Sequence, residues 1–306
     1  MDLWRQCFGD SDAFISLFFD RVYKDENALT IERGGRIVSA LHMLPYTMTY
    51  YGTEISVAYI YGACTAPEAQ GQGLMRQLLH ESFEVMKSRE VALAVLIPSD
   101  KDLFDYYREQ GFTEAFDYTL NTYIRPETPI QAPTLTVVSP ETPSMKQLYD
   151  YFDRKMRERP CCMLHTYDDF VTILREMQLE GGQMLTALDI TQKTVGMAFL
   201  YPREDQILIK ELFYDTDQVK NLLLQETCNQ TQVSRAFYRI PPVEPSTLPL
   251  GMARVLDTER LIRHWHSKHP HSPFSESDLK QMDMQTLTGH LLDYPARQAY
   301  MSLMMD

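Results

Sequence analysis

Basic residues are scarce: Lys and Arg number 29 against 42 Asp and Glu, a net charge of −13 over 306 residues. Such a surface repels phosphate backbones, which argues against a general nucleic-acid binder. It suits small-molecule partners that are neutral or cationic. Long apolar runs are missing too, since no stretch approaches the roughly 20 residues of a membrane helix. The opening MDLWRQCFGD puts an acid at position 2 and no cationic segment before an apolar stretch, unlike a secretory signal. Cysteine is sparse and odd in number (Cys7, Cys64, Cys161, Cys162, Cys228), with no CxxC pair. That set fits reduced thiols in a cytoplasm better than a disulfide framework. No membrane and no nucleic-acid partner is expected.

At about 150 residues per domain the length leaves room for roughly two domains. From Ser11 to about Ile124 the pattern reads helix, several strands, then helix, strand, helix, strand. Ala13–Val22 has helical spacing, and Leu29–Glu32 and Ile37–Leu44 read as strands joined at Gly34–Gly35. Thr47–Tyr51 and Ile55–Thr65 read as two further strands. Val91–Ile97 is an apolar run suited to a strand buried on both faces. Three prolines in Arg125–Pro133 mark a linker. Beyond it, helices over Ser144–Arg157, Tyr167–Met177 and Asp217–Thr227 alternate with strands at Gln183–Asp189, Val195–Tyr201, Ile207–Tyr214 and Arg235–Ile240. That order repeats the first part in outline, as a diverged duplication would. The last ~55 residues give a strand at Met252–Leu256, a helix from Thr258 and helical patches ending at Met301–Met305. They are too few for a core of their own.

The informative segment runs from Tyr61 to Leu79: a strand ending near Thr65, a loop with Gly71 and Gly73, then a helix. Glycines at such a turn allow close backbone approach to a ligand. Free amides at the helix start can hold a phosphate or pyrophosphate. An ordinary βα turn would use the same glycines. No Lys-Ser/Thr follows Gly73, so this is no Walker loop, and a Rossmann fingerprint would need a third glycine and a later acid.

The spacing Gln70-x-x-Gly73-x-Met75 resembles the cofactor motif of the GNAT acetyltransferases, with Met75 where many members have Gly or Ala. Val91–Ile97 followed by Tyr107, Gly111 and Phe112 resembles the family's strand and Tyr-x-x-x-Gly-Phe element. The larger residue at Met75 is similar to the Eis-like branch, and that resemblance covers the whole chain. It implies an α/β fold with mixed sheets: an active GNAT domain over 1–128, a degenerate GNAT-like domain over 129–245, and a shortened sterol-carrier-protein-like segment over 246–306. In the second domain Phe213–Asn221 stands at the equivalent strand end without a glycine, so no cofactor is expected there.

The resemblance also implies roles. Acetyl-CoA would be the co-substrate, with no metal. Cys64, Thr65 and Ala66 would pair with its pantetheine arm through their backbone. Gln72, Gly73, Leu74, Met75 and Arg76 would offer amides to the pyrophosphate, Arg76 alternatively being a solvated helix-face residue. Tyr107 would return a proton to the departing thiolate, as a phenol can, or else be a core tyrosine; Tyr106 is its neighbour by one register step. Asp306 would bring the terminal carboxylate to the amine, or else be a frayed end. The expected activity is N-acetyl transfer to a primary amine on a small cationic or peptidic acceptor; the alternative is an acetyl-CoA-binding sensor without turnover. Members of the branch form ring-like oligomers, which leaves a homo-oligomer open. His42 and His80 are candidate bases. The spacing of His264, His266, His269 and His271 does not put three on one helical face, so a polar helix end fits better than a metal site.

Overall fold

Ser11 caps the first long helix: its Oγ accepts from the Phe14 N–H at 3.2 Å, and α2 (Asp12–Arg21) buries Ile15 and Phe18. A short helix without a counterpart in the sequence pattern, α1 (Asp2–Cys7), precedes it and buries Leu3 and Trp4. The computed structural model describes residues 1–128, 132, 134–138, 143–204, 206–243, 245–296 and 299–305. Of the proline linker, residues 129–131 and 133 lie outside the described residues.

Strands β1 (Ala28–Arg33), β2 (Arg36–Tyr50) and β3 (Thr53–Thr65) form an antiparallel meander. The two short strands expected at Ile37–Leu44 and Thr47–Tyr51 are one strand, running through Pro45. Pairing with β1 stops at His42, so the missing Pro45 N–H breaks no bond to β1. Helix α3 (Leu74–Ser88) returns the chain to β4 (Leu93–Leu96), parallel to β3 and buried at all four positions. Helix α4 (Asp102–Glu109) and β5 (Thr113–Ile124) follow.

The remaining elements are β6 (Leu135–Val138), α5 (Met145–Arg157), β7 (Met163–Leu164), α6 (Tyr167–Leu179), β8 (Gln183–Asp189), β9 (Thr194–Arg203), β10 (Gln206–Tyr214), α7 (Asp217–Thr231), β11 (Arg235–Ile240), β12 (Leu248–Val255), α8 (Thr258–Lys268), α9 (Glu276–Gln281) and α10 (Met284–Leu291). Helices α5 and α6 start in capping boxes, Ser144 with Gln147 and Thr166 with Asp169.

The chain divides into two compact units. Unit 1 is Met1–Phe116 with Pro249–Ala299; unit 2 is Asp117–Leu248 with Tyr300–Met305. In unit 1, β4 lies parallel to β3 and takes β12 antiparallel on its other side. In unit 2, β8, β9 and β10 are antiparallel, β11 lies parallel to β10, and β5 pairs antiparallel with β11. Each unit therefore has the same succession of strand directions, with α3 or α7 in the parallel crossover. The strand that follows α4 in sequence serves unit 2, and the strand flanking β4 comes from the C-terminal part of the chain.

One expectation fails. Met301–Met305 is buried but not helical. It is held instead within unit 2: Ser302 O accepts from the His165 Nε2–H at 2.7 Å, and the preceding Tyr300 N–H donates to Cys161 O at 3.2 Å while its O accepts from the Met163 N–H at 3.4 Å. A five-residue stretch of mostly apolar side chains gains more from complete burial than from one helical turn.

Candidate active site

Strands β3 and β4 separate where the sequence placed its cofactor strand. Their last paired residues are Tyr59 and Val95, yet β3 runs on to Thr65. Among the described residues β3 has no pairing with β4 over Gly62–Thr65, so the peptide groups there line an opening wedge. Within that stretch β3 carries a bulge. His42 faces Tyr61 and Ala40 faces Cys64, which gives β3 one residue more than β2. Gly62 takes up the bulge at φ +58°, and a Cβ there would meet the Trp4 ring at 2.6 Å. Only glycine fits both the angle and the space.

Cys64, Thr65 and Ala66 close the strand. On the β2 side the Ala66 N–H donates to Val38 O at 2.8 Å, and Ser39 Oγ donates to Cys64 O at 3.1 Å. Burial pushes the Cys64 thiol up, with the neighbouring Cys7 adding to the shift. Cys64 therefore stays a thiol, unsuited to acting as a nucleophile.

The loop ends at Gly73, which caps α3 in the left-handed region at φ +76° and supplies no side-chain acceptor. The amides of Leu74, Met75 and Arg76 at the start of this 15-residue helix are left for an external anion. Arg33 donates from its guanidinium to Gln72 Oε1, bringing a cation to the loop that sequence spacing could not reveal. Arg76 pairs with Glu109 at 3.2 Å on the exposed helix face. Uncapped amides beside a strand edge beyond its pairing with β4 fit a phosphate-bearing chain laid along β3.

Tyr107 projects from α4 into the unit 1 core, with ring centroids 5.3 Å from Tyr106 and 5.9 Å from Phe112. Burial raises its phenol pKa, so the proton stays on at physiological pH. Tyr106 is less buried and shifts in the same direction for the same cause. Gly111 turns the chain at φ +83°, where a Cβ would collide with the Arg254 guanidinium. That guanidinium donates to Gln110 O at 3.0 Å and lies 4.6 Å from the Phe83 ring centroid. Thus β12 buttresses the end of the tyrosine helix. Asp306 lies outside the described residues.

His42 stands directly across the ladder from Tyr61. Its Nδ1–H donates to Tyr61 O at 3.2 Å, and Trp4, Phe18 and Tyr23 surround the ring at centroid distances of 5.1–5.9 Å. Burial lowers its pKa to about 4. An unfolded chain titrates the same imidazole near 6.5. Above pH 6.5 neither state holds the extra proton, whereas between 6.5 and 4 only the unfolded state takes it up. Stability from this residue is therefore lost as pH falls. From pH 7.5 to 5 the loss is about 2 kcal/mol. Urea melts at both pH values should show wild type losing that much more than His42→Phe; equal losses would show that His42 is not the titrating group.

Residues 1–115 match the family described as an acetyltransferase (GNAT) domain. No curated protein matches the chain. Among solved structures, the chain is similar to a probable N-acyltransferase from Enterococcus faecalis (TM-score 0.67, 16% identity, 84% of this chain and 69% of that one). A GCN5-related N-acetyltransferase from Anabaena variabilis is also similar (TM-score 0.69, 16% identity, 85% and 70%). So is Eis1 from Mycobacterium abscessus (TM-score 0.63, 12% identity, 82% and 72%). At these identities the structural likeness speaks for the fold. The protein is an acyltransferase carrying a GNAT acetyltransferase domain in residues 1–115.

Proposed function

We propose that unit 1 binds acetyl-CoA along the Gly62–Thr65 edge of β3, beyond its pairing with β4, and transfers its acetyl group directly to a primary amine. The observation that carries this reading is the wedge itself: a bulged strand edge, beyond its pairing with β4, running into an uncapped helix start. Peptide groups of Cys64, Thr65 and Ala66 hold the pantetheine arm, and the amides of Gln72 to Arg76 hold the pyrophosphate. N–H groups at the bulge stabilise charge on the carbonyl oxygen as the amine nitrogen bonds to the acetyl carbon. The carbon–sulfur bond breaks, Tyr107 protonates the sulfur, and the ammonium proton leaves to water or to the Asp306 carboxylate. The acceptor is a small cationic or peptidic amine, in keeping with an acidic protein.

Unit 2 reads as a second, degenerate GNAT-like domain in an Eis-like arrangement, with sequence segments 1–128, 129–245 and a short sterol-carrier-protein-like 246–306. The repeated strand directions support the duplication. The start of α7 supports the loss of cofactor binding: the Thr216 side chain accepts from the Val219 N–H at 3.3 Å, filling the role left open at Gly73. The core packing of Tyr107 favours one competitor, a protein that binds acetyl-CoA without turnover.

Thiol release from acetyl-CoA, followed over polyamines, aminoglycosides, arylamines and lysyl peptides, tests the proposal. Amine-dependent release is expected. Calorimetric binding of acetyl-CoA without release would favour the sensor, and no binding would overturn both readings.

A further inference from the structure

Unit 1 contains a cavity of about 490 Å³ between the end of α8, the loop after it and α10. That volume suits a small molecule. Its walls are flat rings in fixed positions. The Trp265 ring stacks on His269 with centroids 4.1 Å apart and 15° between planes. His290 leans on Trp265 at 4.5 Å, and Phe274 meets His290 edge-on at 5.1 Å. The Trp265 indole N–H donates to Asp293 at 3.1 Å, and the His269 Nδ1–H donates to Trp265 O at 2.9 Å.

The charge of the lining runs against the charge of the protein. Among the described residues, Lys268, His269, His271 and His290 are the titratable groups that line the cavity, and none of the lining residues is a carboxylate. Asp293 approaches His269 Nε2 at 3.6 Å but is not a lining residue. A metal does not account for the histidines, because among the described residues no three His, Cys, Asp or Glu side chains converge as a metal site would require. The His290 Nε2 is buried without a hydrogen-bond partner among the described residues, so the residue keeps unused polar capacity behind the wall.

We propose that this cavity binds a small planar aromatic anion, an aryl carboxylate. Its ring would lie against Trp265 and Phe274, and its carboxylate would accept from the Lys268 ammonium and imidazole N–H groups. This site is independent of acetyl transfer.

The chain has two tryptophans, so Trp4→Phe leaves Trp265 as its sole indole emitter. Benzoate should shift that emission saturably. Benzamide, flat but neutral, and cyclohexanecarboxylate, charged but not flat, should each bind at least about fivefold more weakly. Adding Lys268→Gln should weaken benzoate about tenfold, the loss of one charge-assisted contact, and leave benzamide unchanged. No saturable response to benzoate, equal binding of the three probes, or indifference to Lys268→Gln would each overturn the proposal. If Trp4→Phe does not fold, saturation-transfer NMR on wild type and Lys268→Gln with the same probes decides the matter by the same criteria.

Discussion

Tyr107→Phe should slow acetyl transfer by about 10²–10⁴-fold, the usual contribution of a positioned acid, while acetyl-CoA binding changes less than about twofold. The split follows from what the ring does and what the hydroxyl does. The ring belongs to the unit 1 core beside Phe112, and phenylalanine preserves that packing. The hydroxyl alone can give the thiolate a proton, and burial keeps it protonated well past the ordinary phenol range. An alkaline fall in rate from loss of this acid should accordingly lie above about pH 10. Tyr106→Phe is the control, since it carries the same substitution one register step away on a less buried ring. Steady-state thiol release with calorimetric acetyl-CoA binding measures both variants. A full rate in Tyr107→Phe with loss in Tyr106→Phe would move the role to Tyr106; full rates in both would remove the tyrosine acid from the mechanism.

The parts of this architecture that are local in sequence were legible there. The strand into Gly71 and Gly73, the apolar helix after it and the order of elements in both halves are written in short-range periodicity, and α2, α5, α6 and α8 begin at or within two residues of their expected starts. What was not legible depends on residues far apart. Nothing near Gly111 announces that Arg254 will fill the space beside it, about 140 positions away in sequence. The bulge at Gly62 shows only once His42 and Ala40 are aligned across the ladder. Helix α1 escaped because six residues are too few for a periodic pattern. The histidine cluster divides: His264 and His266 stay on α8, while His269 and His271 join His290 from another helix to line the cavity.

Arg159→Met should cost unit 2 about 3–5 kcal/mol, the usual result of stranding one member of a buried ion pair. The Glu211 side chain is 1% exposed and receives both arms of the Arg159 guanidinium, at 2.7 and 2.8 Å. The Leu212 N–H donates to the same carboxylate at 2.9 Å, and Ser302 Oγ donates to its other oxygen. The guanidinium also lies over Phe213 and Tyr300, with ring centroids at 4.7 and 5.2 Å. Removing the arginine takes two charge-assisted hydrogen bonds from a carboxylate that stays buried. Because the cost comes from the stranded charge, taking away both charges should recover much of it, so Arg159→Met with Glu211→Leu is expected to be more stable than Arg159→Met alone. Ser302 ties the C-terminal tail to this network, and the His165 Nε2–H donates to Ser302 O at 2.7 Å. Ser302→Ala should lower stability by about 1 kcal/mol and speed trimming of the tail by carboxypeptidase. Urea unfolding of the three variants gives the ledger. A loss below about 1 kcal/mol in Arg159→Met, or a double variant no better than the single one, would mean that the pair does not hold the tail in unit 2.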